Sequence, residues 1–175
     1  PNMAVLNNTG IRAGASGAGG GAGGGWESSP VVANSLRFNS DDSASLSRTF
    51  ANSDTQTYTL SFWVKRSKLG AWEYDRIYST NSNSYVMFNA DMIHGNLRGT
   101  SGSNAFWYTN AVFRDVGAWS HYVIAYDLSN ATEADRLKVY VNGVEQTFLA
   151  PYTSWPTEDQ HSGGTHTIGG ASGNF

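Results

Sequence analysis

The sequence is 175 residues long, with 14% charged residues, a formal net charge of −3 and no cysteine. That length suits one domain, able to bury roughly 70% of the surface its unfolded chain exposes. Scattered basic residues exclude an electrostatic footprint for nucleic acid, and the missing cysteines exclude disulfides, thiolate metal sites and a cysteine nucleophile.

The first zone is residues 1–34. Its opening, PNMAVLNNTG, has neither a basic n-region nor a long apolar stretch, and no apolar run in the chain reaches the ~18 residues a membrane span requires. Neither a secretory signal nor membrane insertion is expected. Val5, Leu6 and Ile11 form a small apolar group, and eight of the fourteen residues from Arg12 to Gly25 are glycine. Such a segment cannot repay its ordering entropy by burying side chains, so alone it reads as a flexible tether. The sharper expectation is an anchoring arm: Val5, Leu6 and Ile11 become ordered on a partner or on sister chains, whose backbones glycine allows to approach closely.

From residue 35 the texture changes to short alternating segments separated by Ser, Asn, Asp and Gly. TYTLSFWVKR, from Thr57, places Tyr58, Leu60, Phe62 and Val64 on one face and Thr57, Thr59, Ser61, Trp63 and Lys65 on the other, which predicts a half-buried strand. WSHYVIAYD, from Trp119, is mostly apolar on both faces and predicts a central strand covered on both sides. SNATEADR, from Ser129, has room for one helical turn at most. LKVYVNGVEQT, from Leu137, predicts two strands joined at Asn142-Gly143, residues that tolerate the positive φ of a type I′ turn. Weaker strand signals are SLRF, SASLSR, DRIYS, SYVMFN, AFWYTNAVF, QTFLA and THTIGG. Many short strands and no amphipathic helix predict an all-β sandwich.

SLRFNSDDSASLSR, YTLSFWVKR, GAWSHYVIAYD, LKVYVNGVEQT and HTIGGASGNF, in that order, resemble the concanavalin A-like jelly-roll superfamily of laminin-G, pentraxin and legume-lectin domains. The resemblance implies a jelly-roll sandwich of two antiparallel sheets over residues 35–175, carried behind an extended glycine-rich N-terminal arm. MAVLNNTGIRAGASG, SLRFNSDDSASLSRTF and VFRDVGAWSHYVIAYDLSNATEADRLKVYVNG are similar to virion proteins of tailed bacteriophages that carry this domain. After IGG such domains add one more strand that returns beside the N-terminal strands, whereas this sequence ends at Phe175. The expectation is a longer fibre, or a closing strand supplied by the arm or by a neighbouring subunit.

Because the superfamily includes β-glucanases, hydrolysis needs two carboxylates roughly 5 to 10 Å apart. Relatives that cleave glucan carry E-x-D-x-x-E; here Glu27, Glu73, Glu133, Glu145 and Glu158 are isolated, and no enzyme activity is expected. NSDD (Asn39 to Asp42) and DLSN (Asp127 to Asn130) offer oxygen ligands for calcium, but Asx residues also occupy turns for backbone reasons, and no metal site or cofactor is expected. His161 and His166 lie five apart, with His94 and His121 elsewhere, and read as ordinary histidines. Aromatic residues, 13% of the chain, are the remaining signal. Tyr58, Phe62, Trp63, Trp119 and Tyr122 are assigned to the core. Trp72, Trp107, Tyr108, Tyr152 and Trp155, in or beside expected loops, are open to packing, subunit contact or ligand stacking, and form the candidate carbohydrate-binding set.

The resemblance thus implies a non-enzymatic virion structural protein, a capsid decoration, head fibre or tail fibre component, as a homotrimer on the capsid surface or tail. Its partners would be phage capsid or tail proteins and host-surface glycans. A carbohydrate-binding module for host or environmental polysaccharide is the alternative.

Overall fold

A computed structural model of the chain describes residues 36–38, 44–51, 56–70, 75–80, 84–99, 102–149, 155–156 and 164–169. Two units divide it, Pro1–Leu36 and Arg37–Phe175, and every described strand belongs to the second. Among the described residues there are eleven strands: β1 (Ser45–Thr49), β2 (Thr57–Val64), β3 (Asp75–Thr80), β4 (Tyr85–Asn89), β5 (Met92–Arg98), β6 (Asn104–Thr109), β7 (Ser120–Asp127), β8 (Leu137–Val141), β9 (Val144–Glu145), β10 (Phe148–Leu149) and β11 (Thr165–Gly169). They form a seven-stranded sheet in the order β1-β11-β3-β4-β5-β6-β10 and a four-stranded sheet in the order β2-β7-β8-β9. All pairings are antiparallel. This is the all-β jelly-roll architecture that the segment order implies.

The core lies between the sheets because alternation gives each one an apolar inner face. The large sheet contributes Val86, Phe88, Ile93, Leu97, Ala105 and Trp107, and the small sheet Tyr122, Ile124, Tyr126, Leu137, Val139 and Val141. Strand β2 adds Tyr58, Leu60, Phe62 and Val64, the face its alternation predicts. The sheets also exchange a buried hydrogen bond, donated by Trp107 Nε1 to the Tyr126 hydroxyl at 3.1 Å. Gly95 sits opposite Trp107 in the β5–β6 register, and a Cβ there would land inside the indole. The missing side chain is what lets the ring lie flat across β5.

A buried ion cluster fastens the two sheets at one end. Arg66, two residues beyond β2, places Nη2 3.1 Å from Asp91 Oδ1 as an ion contact. It donates from Nη1 to the Phe113 carbonyl at 2.6 Å, and its guanidinium lies 4.3 Å from the Phe88 ring centroid. Arg114 Nε donates to Asp91 Oδ2 at 2.9 Å. Burial would raise the Asp91 pKa, but the hydrogen bonds from Arg114 and Arg66, the Arg66 charge and a Gly70 backbone N–H outweigh it and hold the carboxyl below its ordinary value.

The Asn142-Gly143 turn forms as predicted, with φ of 51° and 82° and Val141 opposite Val144. The SNATEADR segment holds one 3-10 turn, Glu133–Asp135. Other expectations are corrected. Trp63 and Trp119, assigned to the core as aromatics, are 58% and 49% exposed. Trp63 has the outward parity of β2 and pairs with His121, so strand geometry overrides its apolar character. Strand β7 buries one face only, its outward residues being half-buried. AFWYTNAVF is a strand only as far as Thr109, and residues 36–38 of SLRF are not in a strand. Strand β5 lies outside every segment expected to be a strand; Ala90 and Asp91, with φ of 50° and 63°, turn β4 into it.

Candidate functional site

The β4–β5 hairpin and β6 build the centre of the large sheet, and their alternation decides which side chains leave the core. On β5, Ile93, Gly95 and Leu97 face inward, so Met92, His94, Asn96 and Arg98 project from the outer face. Across the ladder His94 pairs with Met87 and Tyr108, Asn96 with Tyr85 and Phe106, and Arg98 with Asn104; Arg76 of β3 pairs with Met87. Tyr108 stacks on the His94 imidazole with centroids 3.9 Å apart and planes 13° apart. Tyr85 meets it edge-on at 5.5 Å, and Phe106 lies tilted at 6.1 Å. The Arg76 guanidinium covers the Tyr85 ring at 4.8 Å. Asn96 donates from Nδ2 to Asn104 Oδ1 at 3.4 Å.

These side chains form a floor and a rim. Met87, His94 and Asn96 are the floor, at 1%, 3% and 4% exposure, whereas Tyr85, Tyr108, Arg76 and Arg98 are half-buried and Phe106 is exposed. Among the described residues neither ring nitrogen of His94 has a hydrogen-bond partner, nor does Nε of Arg76. A buried polar group in that condition costs about 1–3 kcal/mol. Burial also pushes the His94 pKa down to about 4, so the imidazole is neutral near pH 7, with one N–H donor and one bare acceptor nitrogen. Each nitrogen calls for its own partner, and a ligand hydroxyl can donate to one or accept from the other.

Of the five aromatic residues expected to stack on sugar, this face contains Tyr108. Trp107 is 2% exposed and its indole is spent on the core, so it has no open ring face to offer. Trp155 is half-buried, packs against the core and donates its backbone N–H to Glu133 Oε1 at 3.1 Å. Trp72 and Tyr152 lie outside the described residues, as do Val5, Leu6 and Ile11. The sequence reading missed His94, Asn96, Phe106, Tyr85 and Arg76; the alternation of MIHGNLR against YVMFN was the signal that would have found them.

Of the remaining polar candidates, Asn39 to Asp42 and His161 lie outside the described residues, and those described are used locally. Asp127 accepts from Ser129 Oγ at 2.6 Å, and Asn130 Oδ1 accepts from the Thr132 N–H at 2.9 Å, the turn-closing role of Asx residues. Ser61 Oγ is 3.0 Å from His121 Nε2, and the Tyr78 hydroxyl is 2.7 Å from His166 Nδ1. Among the described residues no three His, Asp or Glu side chains gather in a group able to hold a metal ion.

Two facing antiparallel sheets with a ring-lined outer face define a lectin-like β-sandwich. The chain belongs to the concanavalin A-like lectin/glucanases superfamily, whose family profile matches residues 38–175. Similar solved structures include a native heptameric SAP-like pentraxin from Limulus polyphemus, at 16% identity and a TM-score of 0.45 over 70% of this chain and 56% of that one. The binding domain of Paraclostridial Mosquitocidal Protein 1 is similar at 14% identity and a TM-score of 0.49, over 76% and 38%. The Botulinum Neurotoxin Type G receptor binding domain follows at 12% and 0.46, over 77% and 41%. The chain thus spans less than two thirds of each of these structures. No curated protein matches it.

Proposed function

We propose that the chain is a non-enzymatic recognition protein whose sandwich binds carbohydrate on the outer face of the seven-stranded sheet. The observation that carries this reading is His94, buried beneath Tyr108, Tyr85 and Phe106 with no hydrogen-bond partner for its ring nitrogens among the described residues. Saccharides present flat apolar C–H faces to aromatic rings and hydroxyls to imidazole and amide groups, and the face offers both kinds of contact. Among the described residues this face carries no carboxylate pair of the kind glycoside hydrolysis uses, which supports a site that holds a sugar rather than hydrolyses it.

The biological setting we propose is the particle of a tailed bacteriophage, with the chain as a capsid decoration, head fibre or tail fibre component. The resemblance of its N-terminal, central and hairpin segments to virion proteins supports this setting. Residues 1–34 anchor the chain through Val5, Leu6 and Ile11, and three copies converge through the glycine-rich stretch, multiplying weak sugar contacts by avidity. Deleting residues 1–25 tests the division of labour. Particle incorporation and trimer mass should be lost while binding on a glycan array persists; loss of sugar binding with incorporation intact would refute it.

A further inference from the structure

We infer that the saccharide taken by this face is acidic and that Arg76 receives its carboxylate. The inference rests on the glycan-binding reading above and adds the class of sugar. The chain is acidic overall, with 14 Asp and Glu against 11 Lys and Arg. The outer face of the large sheet departs from that balance. Among the described residues its outward positions carry two cations, Arg76 and Arg98, and no carboxylate. Neither arginine has a carboxylate partner among those residues, whereas Arg66 and Arg114 both engage Asp91 and Lys138 engages Asp135 and Glu145. Cations on one face of a negatively charged protein, with no carboxylate partner among the described residues, set up a local field complementary to an anion.

Geometry selects the carboxylate. Arg76, Met87, His94 and Tyr108 occupy one row across β3, β4, β5 and β6, and adjacent strands lie about 4.8 Å apart. The Arg76 and His94 backbones are therefore about 10 Å apart, close enough for one sugar ring to reach both side chains. Stacking over Tyr85 fixes the guanidinium before a ligand arrives. A planar guanidinium fork matches a planar carboxylate through two parallel hydrogen bonds, better than it matches a tetrahedral sulfate. The ring hydroxyls then fall to His94, and an apolar sugar face to Phe106.

The test is calorimetric titration of the full chain with hexasaccharides derived from galacturonate, hyaluronate and alginate, each beside its methyl ester, and with a sulfated heparin hexasaccharide. At least one acidic oligosaccharide should bind ten-fold or more tightly than its ester. Arg76→Gln should abolish that preference with an unchanged melting temperature, and Arg76→Lys should keep part of it, because charge survives and the fork does not. Equal binding of acid and ester, or a preference untouched in Arg76→Gln, overturns the inference and leaves the glycan-binding reading standing. A stronger preference for the sulfated chain overturns the carboxylate assignment. Binding to none of these, with no response on an array of neutral glycans, overturns the glycan-binding reading as well.

Discussion

Protonating His94 should cost the fold much of its stability. Burial among Tyr85, Tyr108 and Phe106 lowers its pKa from 6.5 to about 4. As pH falls below 6.5 the unfolded chain takes up the proton first, so stability is present above that value, declines through the interval and levels off below about 4. At about 1.36 kcal/mol per pH unit, the full interval is worth about 3 kcal/mol, a large fraction of a domain's stability. Urea unfolding at pH 7.5, 5.5 and 4.3, followed by tryptophan fluorescence, should show the wild type losing most of that amount. His94→Gln, neutral throughout, should have a flatter profile over the same range. The carboxyl of Asp91, held below its ordinary 3.8, loses its contribution only at lower pH and stays clear of this window. Matching pH profiles in wild type and His94→Gln would refute the claim that the imidazole is buried without a partner.

Other substitutions probe the framework. Gly95→Ala drives a methyl group into the Trp107 indole, and displacing that ring also breaks its bond to Tyr126; a loss of about 2–3 kcal/mol is expected as a lowered melting temperature. Asp91→Asn leaves the Arg66 guanidinium buried beside an uncharged amide, and chemical denaturation should register a loss of about 3–5 kcal/mol. Gly143→Val meets no neighbouring atom, so only its φ of 82° opposes it; calorimetry should find about 1 kcal/mol of destabilisation, and an unchanged melting temperature would contradict the strain. Phe106→Ala, at an exposed ring, should weaken glycan binding while leaving unfolding nearly unaltered.

How much of this was legible in the sequence depended on local signals. The β8–β9 hairpin was plain because Asn142-Gly143 carries its turn type in its residues, and β2 because strict alternation marks one buried face. Strand β5 was hidden for the opposite reasons. Its turn uses Ala90, a residue that seldom adopts positive φ, beside Asp91, which is held there by two arginines from distant segments that no local window contains. The same gap concealed the candidate site, since His94, Asn96 and Arg98 all lie on that strand. Trp107 was misplaced because a ring beside an expected loop gives no sign of its inward parity, which depends on Gly95 across the ladder.

The Asp91 knot has a bearing on recognition. It ties down the tip of the hairpin whose two arms carry Tyr85, Met87, His94 and Asn96, using cations that arrive from beyond β2 and from the loop after β6. With its apex clamped, the hairpin cannot slide or fray, so an incoming sugar meets contacts already in place and little motional freedom is forfeited on docking. Loosening that clamp should therefore dull affinity at a surface the clamp never touches.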